Sequence, residues 1–175
     1  MTDPIPTTFS GYDDFAHLRF DRPSPSVLLI TIDRPEVLNA ANERLHREFS
    51  EVWRVVDRDD SVAVSVITGA GKAFSAGGDL AMVEKMTTDY ATTLEQWRDA
   101  KAVVDEMLTS VKPIVSAING VAVGAGLAVA LLADVSVMGR RLGCPTGTPG
   151  WGWPPATTRH CCGRCCAEWP GRSTT

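Results

Sequence analysis

Lys72-Ala73-Phe74-Ser75-Ala76-Gly77-Gly78-Asp79-Leu80 is the stretch whose reading decides the fold. It follows a β-branched run, Val62-Ala63-Val64-Ser65-Val66-Ile67-Thr68, and precedes apolar residues at helical spacing. A small-residue turn between a strand and a helix exposes backbone N–H groups, and the helix dipole reinforces them. Glycines there let a ligand approach the main chain closely. A second turn of the same kind follows at Asn119-Gly120-Val121-Ala122-Val123-Gly124-Ala125-Gly126. Two donor-bearing turns can converge on one oxygen atom, which is how an oxyanion hole is built.

Working outward, the pattern is of alternating strands and helices. Phe15 to Phe20 reads as a strand, followed by a Pro/Ser turn over residues 22–26, and Val27 to Ile32 as a stronger one. Asp33-Arg34-Pro35 ends it, and Glu36-Val37-Leu38-Asn39-Ala40 forms a loop into a helix capped by Asn42. Leu45, Phe49, Val52, Trp53 and Val56 share one face of that helix. Residues 80–110 read as one or two helices, with a break near Thr87-Thr88-Asp89 and Leu94, Trp97, Val104 and Leu108 roughly in register. Pro113 stops the helix, because the residue before a proline is driven out of helical geometry. Ile114 to Ile118 is a short strand, an Ala/Leu-rich helix runs to Ala133, and Asp134 to Met138 is a last strand. Repeated strand–helix units make the class α/β.

Neither glycine turn fits a nucleotide motif. A phosphate loop ending at Gly71-Lys72 needs glycine at Val66 and Ser or Thr at Ala73, and a dinucleotide fingerprint needs glycine at Phe74. The length of 175 residues fits one domain, and the net charge of −4 gives no nucleic-acid footprint. No apolar run is long enough to span a bilayer, and the N-terminus lacks the order of a signal peptide. A soluble cytoplasmic protein is expected.

Residues 27–139 resemble the crotonase superfamily, the enoyl-CoA hydratase/isomerase family. Ile32 to Ala40 is similar to its "NRP…LNA" signature, Ala73 to Leu80 to its "FSAGxDL" loop, and Lys112 to Gly120 with Gly124-Ala125-Gly126 to its "KPxIAAxxGxxxGGG" segment. The resemblance implies a ClpP/crotonase-like spiral of ββα units, here incomplete at the C-terminus, and an acyl-CoA thioester as substrate. Coenzyme A would arrive as part of that substrate, with no other cofactor and no metal. Matched by motif, the thioester carbonyl would lie between the backbone N–H groups of Gly78 and Ala125. Glu36, Val37 and Leu38, with Ala76, Gly77, Asp79, Leu80 and Gly124, would hold the CoA moiety, while Asn39 and Asp79 brace loops. The family forms trimers and hexamers through C-terminal helices that are missing here.

One departure bears on the chemistry. Hydratases of this family use two glutamates as acid and base. The first position falls on Ala128, which transfers no proton, and the second falls in the segment after the last strand. Glu84 and Glu106 read as solvated helix residues. The expectation is therefore an acyl-CoA-processing frame inactive in this form, or alternatively a non-catalytic CoA-thioester binder or assembly subunit.

That last segment is unusual. From Gly143 onward there is no Leu, Ile, Val, Met, Phe, Tyr, Lys or Asp, while all five cysteines lie there: Cys144, Cys161, Cys162, Cys165 and Cys166. The C-x-x-C spacing lacks the second ligand pair of a zinc site. Every Cys and Trp codon begins TG, so the neighbouring frame replaces each by Leu, Val or Met. The chain reads as a flexible leader over 1–14, a partial domain over 15–139, and a frameshifted, disordered Cys/Trp/Pro-rich tail over 140–175. Truncation predicts exposed apolar surface on the helix at 126–133 and its neighbours, and poor solubility.

Overall fold

In the computed structural model the described residues are 5–6, 9–139 and the backbone of 166–167. The architecture is a ββα unit used three times. Strands β1 (Leu18–Ser24) and β2 (Val27–Ile32) form a hairpin that leads into helix α1 (Glu43–Arg58). Strands β3 (Val64–Gly69) and β4 (Ala73–Ser75) lead into α2 (Leu80–Thr88) and α3 (Tyr90–Thr109). Strands β5 (Ile114–Ile118) and β6 (Val121–Ala122) lead into α4 (Gly124–Leu132), after which β7 (Val135–Met138) begins the next turn.

The strands sort into two sheets. One runs in the order β1-β2-β3-β5-β7-β8, where β8 is Cys166–Ala167, and it is parallel apart from the β1–β2 hairpin. The other is the parallel pair β4–β6. Each unit thus climbs one strand of the large sheet, turns into the small one and returns by a helix. β4 and β6 were not expected from the sequence. They are too short to show a period, and each is defined by a partner more than forty residues away.

The core forms where α1 lies on the sheet. Leu45, Phe49, Val52, Trp53 and Val56 are buried against Leu28, Ile30 and Ile32 of β2 and Ile67 of β3. The face read from the sequence is therefore the packed one. Asn42 caps α1, its side-chain oxygen accepting from Leu45 N–H at 2.9 Å, and Asp79 and Asp89 cap α2 and α3 in the same way. The break at residue 89 also answers the sequence reading.

Three expectations change. β1 starts at Leu18 and runs through Pro23 to Ser24, so the turn contracts to two residues. An edge strand tolerates proline because that side of its backbone has no ladder to complete. Residues 9–14 are not loose. Phe9 is buried against Phe15 with ring centroids 4.8 Å apart, and the Tyr12 hydroxyl donates to Asp59 at 2.8 Å. The third change is on α3, where Leu94, Trp97, Val104 and Leu108 share a face, but that face is exposed. The side turned inward carries Thr92, Gln96, Asp99, Val103 and Met107.

Residues 140–165 and 168–175, with 1–4 and 7–8, lie outside the described residues, so the reading of the cysteine-rich tail lies there too. Among the described residues no helix is long and apolar enough to cross a membrane.

Candidate functional site

The site begins with an unusual loop. Pro35–Val37 form a short 3-10 turn, and Leu38 and Asn39 then take positive φ of 53° and 58°. Two consecutive non-glycine residues in the left-handed region need compensation. Asn39 supplies it: its buried amide donates to Ala70 O at 2.9 Å and Ala73 O at 2.8 Å, and its side-chain oxygen accepts from Arg34 N–H at 2.9 Å. Asn39 therefore braces the loop, as expected from its place in the motif.

That loop is stitched to the Ala76–Leu80 turn. Ala76 N–H donates to Leu38 O at 2.9 Å, Ala41 N–H to Gly77 O at 2.6 Å, and Asp79 N–H to Ala41 O at 2.9 Å. The buried Ser75 hydroxyl donates to Asn39 O at 2.8 Å. Arg34 adds a hydrogen bond to Ala40 O and an ion pair to Asp79 at 3.7 Å. Asn119 makes the matching brace on the far side, its amide donating to Gly69 O at 2.8 Å and its oxygen accepting from Gly69 N–H at 3.1 Å.

The second glycine turn closes on the first. Val123 N–H donates to Ser75 O at 2.9 Å. A Cβ on Gly77, where φ is +90°, would stand 3.2 Å from Val123 O, and one on Gly124 would stand 3.8 Å from Gly78 N. A Cβ on Gly126 would stand 2.2 Å from Ser75 Cβ, which has no room to move because it belongs to β4. Glycine at these positions is what lets the N-terminus of α4 meet the turn after β4.

Three segments remote in sequence are thus brought to one place: 36–41, 76–80 and 123–126. In the bridge between Ala41 and Gly78, the hydrogen bonds use Gly77 O and Asp79 N, leaving Gly78 N–H without an acceptor among the described residues. Ala125, in the first turn of α4, likewise has no backbone acceptor for its N–H among the described residues. Both residues are partly exposed. The N-terminal turn of a helix carries positive partial charge, so an anionic or polarised oxygen is the chemistry such a place favours.

The other sequence-named residues fall around this point. Glu36, Val37 and Leu38 are exposed on one lip, Leu80 on another, and Gly124 is exposed between them. Ala128 is exposed one helical turn beyond Ala125. Glu84 is solvent-facing on α2, and Glu106 is tied to Arg54 away from the turns.

Sequence reasoning missed two apolar neighbours. The Met82 methyl carbon and a Val83 methyl lie 3.5 and 3.3 Å from where a Cβ on Gly78 would be. The signal was available, since residues three and four past the Asp79 cap fold back over the turn that starts the helix.

The architecture and the joined glycine turns are those of a crotonase-type protein. Residues 22–143 match the family model described as enoyl-CoA hydratase/isomerase. The chain belongs to the enoyl-CoA hydratase/isomerase family. It is 40% identical over 127 residues to the 2,3-dehydroadipyl-CoA hydratase of Escherichia coli, covering 71% of this chain and 48% of that protein. It is 35% identical over 118 residues to the 1,2-epoxyphenylacetyl-CoA isomerase of the same organism, covering 65% of this chain and 44% of the relative. A crystal structure of an enoyl-CoA hydratase/isomerase from Mycobacterium paratuberculosis superposes with a TM-score of 0.69 at 32% identity, over 72% of this chain and 50% of the other. The chain therefore spans less than half the length of these two curated relatives.

Proposed function

We propose that the chain binds acyl-CoA thioesters, with the thioester carbonyl oxygen accepting from Gly78 N–H and Ala125 N–H. The observation that carries this reading is the meeting of the two glycine turns, each with a backbone donor left unused among the described residues. An enolate formed from a thioester concentrates negative charge on that oxygen, and fixed donors at the end of α4 stabilise it without reorganising. Loss of one such donor costs about 3 kcal/mol at the transition state. The lips at Glu36–Leu38 and Ala76–Leu80, with Gly124, are assigned to the CoA moiety through their main chain. Relatives that act on CoA thioesters support the substrate class, and coenzyme A enters only as part of it.

Binding without hydration is the form of this function that Ala128 favours. A methyl group one turn from the hole can neither deliver a proton nor activate water. Titration of crotonyl-CoA by calorimetry is expected to give saturable binding, while the enoyl thioester absorbance stays constant. The variant Ala125→Pro removes one donor at a position in the first helical turn, where proline is tolerated. It is expected to weaken crotonyl-CoA binding by about tenfold, the worth of one hydrogen bond. Absence of saturable binding, or an unchanged affinity in Ala125→Pro, would remove the carbonyl assignment. Steady hydration would remove the non-catalytic form.

The Cys/Trp-rich tail is assigned to a shifted reading frame in a gene of this family. Sequencing that gene tests it: early stop codons, or no family-like continuation in the neighbouring frame, would end the assignment.

A further inference from the structure

Helix α3 has one packed face and one open apolar face. The first, centred on Val103 and Met107, packs on α1. The second carries Tyr90, Leu94, Trp97, Val104 and Leu108 and continues to Val111 just past the helix end. Trp97 is 67% exposed, Leu108 68% and Val111 79%, so nothing among the described residues covers them. At 100° per residue the stripe lies roughly 130° from the packed face. Its steps of three and four residues, with Lys101 in the one remaining place, are those of a helix that pairs with another helix over several turns. An open apolar groove of about 600 Å³ lies along it, lined by Trp97, Ala100 and Val104 with the stems of Arg98 and Lys101.

The flanking charges say what fits. Arg98 is exposed and makes no ion pair among the described residues. Asp105 is exposed and bound only to Lys101 of its own helix. If a second α3 is laid antiparallel with a two-fold axis at Lys101, Leu94 lies level with Leu108, while Trp97 and Tyr90 each come within one residue of level with Val104 and Val111. In that same register Arg98 comes within one residue of level with Asp105, twice. A parallel pairing would instead bring Arg98 against Arg98. Self-complementarity of one patch is the requirement of a two-fold interface, and the antiparallel register meets it in both its apolar and its charged pairs.

We propose that α3 is a homodimerisation surface, covered by α3 of a second copy of this chain in antiparallel register about Lys101. The groove beside Trp97 receives the partner's indole, and the Arg98–Asp105 pairs set the register. Lys101, held near the axis by its bond to Asp105, limits the affinity.

Sedimentation of the full chain over a wide concentration range tests this. A reversible monomer–dimer equilibrium is expected. Trp97→Glu should weaken it by about thirtyfold, as for an aromatic anchor at an interface centre, and Lys101→Leu should tighten it. Arg98→Asp and Asp105→Arg should each weaken the dimer, and the double swap should recover it. Far-ultraviolet circular dichroism of each variant checks that it is folded. Cross-linking in a mixture of light and isotopically heavy chains should join Lys101 of one copy to Lys101 of another. A chain that stays monomeric, as it would if its own tail covered the stripe, overturns the proposal. So does a dimer that survives Trp97→Glu in the folded variant, or a double swap that restores nothing.

Discussion

Asn39 and Gly126 show how much of the site rests on single residues. Asn39 combines a left-handed backbone with three side-chain hydrogen bonds inside a fully buried environment. Asn39→Ala is expected to cost about 3 kcal/mol, from orphaned buried partners and from the positive φ together. Asn39→Gly relieves only the backbone part, so it should be the milder of the two by about 1 kcal/mol in urea unfolding. Equal losses would mean that the φ carries no cost here. Gly126→Ala sets two effects against each other. Alanine gains up to about 1 kcal/mol of helix propensity, but its methyl meets Ser75 Cβ at 2.2 Å. Overpacking against two backbone-anchored groups wins, and a net loss of about 2 kcal/mol is expected. Since the same contact joins the two glycine turns, crotonyl-CoA binding should fall with it.

At the scale of elements, His46 on α1 and His17 beside it couple the fold to pH. His46, buried on α1, has its pKa held below the ordinary value by burial, with Asp99 on α3 pulling the other way. His17, beside α1, is lowered first by burial, and then by Arg34 and Arg44 against the opposing pull of Glu48 and Glu36. The folded state thus prefers both imidazoles neutral, whereas the unfolded chain protonates them near the ordinary value of about 6.5. Below that pH the unfolded state binds more protons, so stability falls as acid is added. The melting temperature is expected to drop between about pH 7.5 and 5, and His46→Gln should flatten part of that slope. The depressed carboxylates Asp14, Asp59 and Asp89 contribute in a separate window: their stabilisation is present above the unfolded value and is lost as pH falls below about 4. A slope unchanged by His46→Gln would place the coupling elsewhere.

For the whole molecule, residues 9–17 belong to the domain. Phe9 is buried with Phe15, Arg44 lies over its ring, and the fully buried Glu48 accepts from the backbone N–H groups of Ala16 and His17 at 2.8 and 3.0 Å. Phe9→Ala is expected to cost about 3 kcal/mol in chemical unfolding, whereas a loose leader would lose nothing. Apolar exposure falls on α4 and, more heavily, on its neighbour α3, as the sequence-based expectation for residues 126–133 and their neighbours has it. On α4 Leu131 is exposed, while Val129 and Ala130 are buried; the larger exposed surface is on α3. The reason is geometric. α1 covers the Val103–Met107 side of α3 and leaves the side of Trp97 and Leu108 open.

What the sequence determined by itself was everything carried by local chemistry and by motif: the α/β class, the cap at Asn42, the packed face of α1, and the family through residues 32–40, 73–80 and 112–126. Periodicity and capping act within a few residues, so they can be read along the chain. The tertiary structure alone decided which groups meet. It paired β4 with β6, set the Gly124 turn against Gly78, and chose the Val103–Met107 side of α3 as its inner face. Each of these is a contact between segments far apart in sequence, and on α3 the neighbouring helix rather than the apolar stripe sets the inner face.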